Sequence, residues 1–141
     1  IAATVKHFAC NNKETNRKNS DSRLSQRALR EIYLRPFEIV IREAEPWAAM
    51  SSYNIINGRR ASESRELLTD ILREDWGYTG MVMTDWWTKG EHYKEILAGN
   101  DLKMANGYPE RVRQALDLGL VSREDLETCA RRVLELILKI D

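Results

Sequence analysis

A carboxylate, Asp85, directly follows a short apolar segment that begins at Gly80, and two tryptophans, Trp86 and Trp87, come after it. A short apolar run bounded by glycine is typical of a strand buried on both faces. The end of such a strand is where parallel barrels and open sheets place their catalytic groups. Indole rings beside a carboxylate suit a sugar, which offers C–H faces for stacking and hydroxyls for hydrogen bonding. An equally good explanation is that Asp85 caps the next helix and that the two tryptophans pack in the core.

Two earlier apolar segments also end in side chains that bind or react. Lys6 and His7 lie near the end of the first predicted strand, and the segment from Met50 to Tyr53 ends the second. In a parallel barrel all strands open on one face at their carboxyl ends, so these groups would converge on Asp85. Each residue type alone is more often structural or exposed, and their convergence is what indicates a site.

A converged lysine, histidine, tyrosine and aspartate fits two reactions. In the first, Asp85 attacks the anomeric carbon of a sugar, while Lys6 and His7 bind hydroxyls and the Lys6 charge helps to keep the carboxylate ionised. In the second, Lys6 forms a Schiff base with a carbonyl substrate, as in aldolase barrels, and Asp85 transfers protons. The pair of tryptophans favours the first reaction. A non-catalytic carbohydrate-binding module would use the same aromatic residues.

The elements that must position these residues alternate between strands and helices. The strands are predicted at residues 1–9, 47–52, 80–85 and 99–104. The helices are predicted at residues 22–44, 64–76, 91–97, 109–118 and 122–140. Pro36 falls within the first helix and predicts a kink there. The β-α repeat predicts an α/β fold with parallel strands and helices outside them, equal to about half of an eight-unit barrel or most of a small open sheet.

Apolar residues spaced three and four apart predict the buried faces of the helices. On the first helix these residues are Leu29, Ile32, Tyr33, Phe37, Val40 and Ile41. On the last helix they are Leu126, Ala130, Val133, Leu134 and Ile137. Ser122 and Asp125 predict a capping box at the start of that helix. His92 and the pair Arg59–Arg60 are predicted to be surface residues.

The amino-acid composition argues against two classes of binding partner. The chain has 141 residues, enough for a core, and its 22 basic and 22 acidic residues balance. We therefore expect neither a nucleic acid nor a membrane surface as partner. Cys10 and Cys129 fit neither a disulfide framework nor a metal site, and they favour a reducing compartment such as the cytoplasm. We expect no metal and no cofactor. The chain starts without methionine, and we expect it to be part of a longer protein.

A series of motifs, in order along nearly the whole chain, resembles glycoside hydrolase family 3. The segments that carry the resemblance are residues 6–12 (KHFACNN), 26–34 (QRALREIYL), 50–54 (MSSYN), 76–80 (WGYTG) and 84–86 (TDW). The resemblance implies a retaining β-glycosidase, of β-glucosidase or β-xylosidase type, that forms a covalent glycosyl-enzyme on Asp85. It implies a first sugar subsite lined by Lys6, His7, Met50, Tyr53 and Trp86. It gives Arg17 a supporting role.

This sequence departs from the family pattern in three respects. The family's early barrel strands, which supply an aspartate and an arginine to the sugar, are absent, and so is the domain that carries the acid/base glutamate. Trp87 stands where many members have glycine. We therefore interpret residues 1–141 as a partial barrel domain, the C-terminal half of a (β/α)8 barrel, that is inactive alone. Its expected partners are a β-glycoside substrate, the remaining barrel strands and the acid/base domain.

Overall fold

The structure, a computed structural model, describes all 141 residues and shows a mixed α/β arrangement. Its main sheet has three parallel strands, β1 (Thr4–Phe8), β3 (Ala48–Ser51) and β6 (Met81–Thr84), in the order β1-β3-β6. A second small sheet contains β2 (Asp21–Ser22), β4 (Ile55–Ile56) and β5 (Arg59–Arg60). The parallel sheet confirms the predicted α/β class, since parallel strands need connections that cross over the sheet.

The burial of each strand of the main sheet follows from its place in that sheet. β3 is the central strand, and all four of its residues are buried. β6 is nearly as deeply buried, as its continuous apolar sequence predicts. β1 lies at the edge, and only Phe8 is fully buried in it, so the prediction of a buried first strand is wrong for most of its length. The two edge strands differ because residues 101–102 hydrogen-bond along the outer side of β6, whereas β1 has no neighbour on its outer side.

The first long helical region is interrupted, as Pro36 predicts. Ser25 caps α1 (Gln26–Ala28), which passes into a π-helical segment (Leu29–Tyr33). α2 (Arg35–Ala44) then begins, with Pro36 in its first turn. A proline is well tolerated there, because the first N–H groups of a helix have no acceptor within it. The predicted break at Pro36 is therefore confirmed.

The other helical elements lie within a few residues of their predicted positions. They are a π-helix (Glu66–Asp75), α3 (His92–Ala98), α4 (Pro109–Asp117) and α5 (Arg123–Ile140). A short 3₁₀ helix (Ala61–Glu63) was not predicted and precedes the π-helix. The capping box at the start of α5 is confirmed: Ser122 Oγ accepts the Asp125 N–H, and Asp125 Oδ2 accepts the Ser122 N–H. No helix is both long enough and apolar enough to cross a lipid bilayer.

Two of the predicted buried faces are partly wrong. Ile32 is 64% exposed and Val40 is at the border of exposure, because the π-helical turn changes the angular spacing of the residues around it. On α5, no residue is fully buried, and Ala130, Leu134 and Ile137 are exposed. Within these 141 residues nothing packs against the outer face of α5.

The predicted fourth strand is reduced to one bridge, between Leu102 and Met83. Asp101, just before it, turns its fully buried carboxylate inward, where Oδ2 accepts the Val82 N–H at 2.8 Å. Because a side chain takes this position in the ladder, the backbone does not continue as a regular strand. The prediction of a strand at residues 99–104 is therefore wrong in extent.

Two residues predicted to be exposed are partly covered. His92 is half-buried, and burial together with the charge of Lys103 lowers its pKa to about 4. Its imidazole is therefore neutral near pH 7. Arg60 is also half-buried and donates to Lys18 O at 3.1 Å, whereas Arg59 is exposed as predicted.

The core beneath the sheet fixes the end of β1. The Phe8 ring meets Phe37 of α2 edge-on at 5.1 Å and Trp76 at 5.8 Å. Such edge-to-face contacts stabilise aromatic pairs beyond the area that they bury. Since Phe8 directly follows His7, this packing also holds His7 in place at the strand end.

Candidate active site

Three parallel strands bring their carboxyl ends to one edge of the main sheet, and Asp85 lies at that edge. It is the first residue after β6, and its backbone N–H donates to Ser51 O, at the end of β3, at 3.1 Å. The residue is only 6% exposed. Asp85 caps no helix, because α3 begins at His92 with Glu91 as its N-cap. The capping alternative is therefore wrong.

His7 is the ionisable side chain that lies against this carboxylate. His7 Nε2 is 3.6 Å from Asp85 Oδ2, and the imidazole is half-buried. Lys6 is exposed and forms no ion pair with Asp85. The structure thus brings His7 to the carboxylate and leaves Lys6 at the rim, where its role in binding a sugar hydroxyl stays a prediction.

Tyr53 supplies a hydroxyl beside the carboxylate. The residue is buried, and its hydroxyl forms a short hydrogen bond in which it donates to Trp86 O. Burial, and then the negative charge of Asp85, raise the pKa of the Tyr53 phenol above its usual range. The phenol therefore stays protonated and remains a donor at neutral and mildly alkaline pH.

Two cations cover the ring of this tyrosine. Arg17 Cζ lies 4.8 Å and Lys18 Nζ 4.6 Å from the centroid of the Tyr53 ring. Such contacts are attractive because the ring face is negative. The charge of Arg17 also partly offsets the rise in the pKa of the Tyr53 phenol. The motif indicated Arg17 as a support; Lys18 was missed, because a lysine in a polar loop carries no signal of its own.

Backbone and aromatic groups complete the surroundings of the carboxylate. Asp85 Oδ1 accepts the Trp86 N–H at 2.6 Å. The rings of Trp86 and Trp87 are 43% and 59% exposed and meet edge-on at 5.5 Å. The alternative in which they belong to the core is therefore wrong. Met50 is buried in the central strand β3, where it pairs in register with Met83. It therefore lies near the carboxyl end of that strand and is not exposed to solvent.

The arrangement is a buried, hydrogen-bonded carboxylate with a histidine, a neutral phenol and two exposed indoles. No group of three or more His, Cys, Asp or Glu residues is placed to hold a metal ion. A cavity of ≈ 500 Å³ lies at the opposite end of the strands, beside Trp47, Tyr78 and Lys139, and contains none of these groups. The residues predicted to carry the chemistry therefore lie at the strand ends and not in that cavity.

Removing the Tyr53 hydroxyl tests its place in the cluster. In the longer glycosidase that the sequence predicts, Tyr53→Phe is expected to lower kcat/KM for an aryl glycoside by about 10–10²-fold, because the hydrogen bond to Trp86 O next to Asp85 is lost. The measurement is steady-state hydrolysis at pH 7. Tyr33→Phe, which changes a half-buried tyrosine of the π-helical segment far from this edge, is the matched control. Equal losses in the two variants would contradict the role of Tyr53.

The chain is similar to glycosidases over almost its whole length. The profile of the Glycosyl hydrolase family 3 N terminal domain matches residues 1–136. Beta-glucosidase A of Butyrivibrio fibrisolvens is 60% identical over 127 residues, which cover 90% of this chain and 15% of that protein. An Exo-alpha-(1->6)-L-arabinopyranosidase of Bifidobacterium longum is 40% identical over 140 residues, which cover 99% of this chain and 18% of that protein.

Solved structures show the same relationship. A GH3 beta-glucosidase of Bifidobacterium adolescentis superposes with a TM-score of 0.94 at 41% identity, over 99% of this chain and 21% of that one. Beta-glucosidase 3B of Thermotoga neapolitana, in complex with glucose, gives a TM-score of 0.93 at 42% identity, over 98% and 21%. This chain therefore spans about a fifth or less of the length of the proteins that it matches.

Proposed function

Since this chain belongs to glycosyl hydrolase family 3, we propose that it carries the nucleophile, Asp85, of a retaining β-glycosidase that releases terminal β-linked sugars. The observation that carries the proposal is the environment of this carboxylate. It is buried at the carboxyl end of β6, with His7 Nε2 at 3.6 Å and the Trp86 N–H at 2.6 Å. The relatives named beta-glucosidase support a β-glucoside as substrate.

In the proposed reaction a carboxylate oxygen of Asp85 attacks the anomeric carbon. The bond from that carbon to the leaving oxygen breaks, and an acid residue protonates the leaving group. Water, deprotonated by the same residue, then cleaves the glycosyl ester, so that two inversions give net retention. Oδ1 is engaged by the Trp86 N–H, which leaves Oδ2, beside His7, as the proposed attacking oxygen.

The surrounding groups have separate proposed roles. His7 and Lys6 bind sugar hydroxyls, and the exposed face of Trp86 stacks on the ring. Tyr53 donates beside the carboxylate, while Met50 lines the floor of the subsite. These roles share one physical requirement: the sugar must be held so that its anomeric carbon faces the carboxylate at near-attack distance.

The acid/base residue is proposed to lie outside residues 1–141. The relatives are about five to six times longer than this chain, since 90–99% of it matches only 15–21% of their length. We propose that these residues form the C-terminal part of a (β/α)8 barrel, whose other strands and acid/base domain belong to the same longer protein. Retaining enzymes keep the two carboxyl groups about 5–5.5 Å apart, so that domain must reach close to Asp85.

The Schiff-base alternative gains no support from the geometry. A lysine that attacks a carbonyl needs a desolvated site or a neighbouring cation that favours its neutral form. Lys6 is exposed at the rim of the sheet. Borohydride reduction in the presence of a carbonyl substrate would mark Lys6 if this alternative were correct, and we expect no such mark.

The stereochemistry of the first product tests the proposed reaction. Proton NMR during hydrolysis of an aryl β-glucoside by the full-length enzyme should show the β-anomer of glucose first, followed by slow mutarotation. Appearance of the α-anomer first would overturn the double-displacement mechanism, because a single displacement inverts the configuration.

Trp87 is proposed to border the second sugar subsite. Its ring is 59% exposed and stands edge-on to Trp86, the proposed platform of the first subsite. Trp87→Gly is therefore expected to lower kcat/KM for a β-linked disaccharide by about tenfold, and for an aryl glycoside by much less. Steady-state kinetics on both substrates measure this difference. A substitution that weakens both substrates equally would show that the ring only packs under a loop.

A further inference from the structure

The loop that follows the proposed nucleophile, residues 87–90, lies on a buried pair of opposite charges. We infer that the ion pair between Lys103 and Glu95 positions this loop, and through it the Trp87 ring, on the leaving-group side of the site. The inference rests on the proposed function, because it assigns a specificity role within that reaction. Lys103 and Glu95 are positioning residues that act through the loop and do not touch the sugar.

Both members of the pair are withdrawn from water. The side chains of Glu95 and Lys103 are 1% and 5% exposed. Lys103 Nζ lies 2.5 Å from Glu95 Oε2, and Ser62 Oγ donates to Glu95 Oε1 at 3.0 Å. Buried charges persist only when they are paired and hydrogen-bonded. Here both carboxylate oxygens have partners, so the pair is a fixed point in the fold.

Two consecutive residues hold the two ends of the loop. Lys103 Nζ also donates to Gly90 O at 3.2 Å, and Met104 O accepts the Trp87 N–H at 3.0 Å. Trp87 has a φ of 54°, in the left-handed region that a bulky residue adopts only when its surroundings impose it. The backbone of the loop therefore follows the position of residues 103–104.

The 87–90 loop packs so closely on the ion pair of Lys103 and Glu95 that no side chain fits at Gly90. A Cβ atom on Gly90 would lie 2.2 Å from Glu95 Oε1 and 3.0 Å from Ser62 Oγ. Thr88 Oγ1 accepts the Gly90 N–H at 3.3 Å and lies 3.4 Å from Ser62 Oγ. A glycine is thus required at this position by the close approach of the backbone to the carboxylate.

The same polar network reaches the proposed nucleophile. Asn100 Nδ2 donates to Ser62 O at 2.6 Å, and Asn100 Oδ1 accepts from Ser51 Oγ at 2.9 Å. Ser51 O in turn accepts the Asp85 N–H at 3.1 Å. Hydrogen bonds made by Ser62, Asn100 and Ser51 therefore link the residues beneath the 87–90 loop to the backbone of Asp85.

Stability alone does not account for this arrangement. A buried ion pair is weak evidence for stability, because apolar residues of similar volume often do as well. An apolar pair would lack the donor to Gly90 O that the Lys103 ammonium group supplies. A second buried pair, Arg73 with Asp101, instead contacts Gly80 O and Gly99 O and makes no hydrogen bond to the loop. It provides a matched control.

The test is a double-mutant cycle in the full-length enzyme. Lys103→Met is expected to raise KM for a β-linked disaccharide about tenfold, because a misplaced loop weakens contacts far from the reacting atoms. The kcat/KM value for an aryl glycoside should change by less than about twofold. If Lys103 acts through Trp87, Lys103→Met adds nothing to the loss already seen in Trp87→Gly. Lys103→Arg, which keeps a charge and a donor, should restore part of the disaccharide affinity.

Three further measurements separate the possible failures. Arg73→Met, the control pair variant, should lower the thermal midpoint without changing the ratio of disaccharide to aryl-glycoside kcat/KM. The double variant Glu95→Gln/Lys103→Met removes both charges and should fold, yet keep the disaccharide defect. Covalent labelling of Asp85 by an activated 2-deoxy-2-fluoro glycoside should proceed normally in every variant of the pair.

Each contrary result has one meaning. Normal labelling with equal losses on both substrates, or with fully additive effects of Lys103→Met and Trp87→Gly, overturns the inference while the proposed function stands. The same defect in Arg73→Met also overturns it, since any lost buried pair would then suffice. Absence of labelling in the unmodified enzyme overturns the proposed function and this inference together.

Discussion

Asp85→Asn in the full-length enzyme is expected to lower kcat by about 10⁴–10⁶-fold, which is the scale of loss when a nucleophile is removed. The substitution keeps the size of the side chain at a position where the residue is only 6% exposed. It replaces the carboxylate oxygen that attacks the anomeric carbon by an uncharged amide group, while Asn Oδ1 still accepts the Trp86 N–H. The fold should therefore survive and the chemistry should stop.

Two comparisons make this result specific. Asp75→Asn changes a half-exposed carboxylate that pairs with Arg30 on the surface, and it should leave kcat within about twofold of the unmodified enzyme. In Asp85→Ala, added azide should take the place of the carboxylate, attack the anomeric carbon and release an α-glycosyl azide. Retention of a tenth or more of the activity in Asp85→Asn would show that another group attacks the sugar.

Residues 1–141 expressed alone are expected to show no turnover of an alkyl glucoside. β1 has no neighbour on its outer side, and large apolar side chains of α5 are exposed, among them Leu134, Ile137 and Leu138. Open edges and apolar patches of this kind promote association between chains. The acid/base residue, which contributes about 10²–10⁴-fold in typical enzymes, is also proposed to lie elsewhere.

The choice of substrate distinguishes the causes of this inactivity. An alkoxide leaving group depends most on the missing acid, whereas an activated aryl leaving group depends on it least, so only an aryl glycoside should show a trace of hydrolysis. Supplying the remaining barrel strands and the acid/base domain should restore activity on both. Robust hydrolysis of the alkyl glucoside by residues 1–141, lost in Asp85→Ala, would mean that this chain is a complete enzyme.

The sequence predicted the place of Asp85 because that place follows from topology. Three apolar segments connected by helices must form parallel strands, and parallel strands end at the same edge. His7, Tyr53 and Trp86 were placed near the carboxylate by the same argument. The same argument also predicted that Lys6 meets the carboxylate, but Lys6 is exposed and forms no ion pair with Asp85.

Other features depend on contacts that no local pattern encodes. Ile32 has the right spacing for a buried face, but a π-helical turn moved it away from the core. Lys18 lies on the Tyr53 ring because the loop after β1 folds back over β3. The exposed apolar face of α5 is a further example. Periodicity predicts that this face packs against another element, but it does not show whether that element lies within residues 1–141.

The buried polar network is the clearest case of such a contact. Glu95 and Lys103 are separated by a helix end and a turn, and in the sequence they resemble any two charged surface residues. Their burial arises because the segment pairs with β6 only as far as Leu102, and Lys103 then lies beneath the 87–90 loop. Long-range placement of this kind is set by tertiary packing and not by propensity.

Identification of the labelled residue tests the central claim most directly. The full-length enzyme would be inactivated with an activated 2-deoxy-2-fluoro β-glucoside, digested and analysed by peptide mass spectrometry. We expect one fluoroglucosyl group per active site, bound as an ester to Asp85, and protection by a competing β-glucoside. A stable adduct on any other carboxylate, or inactivation that leaves Asp85 unmodified, would contradict it.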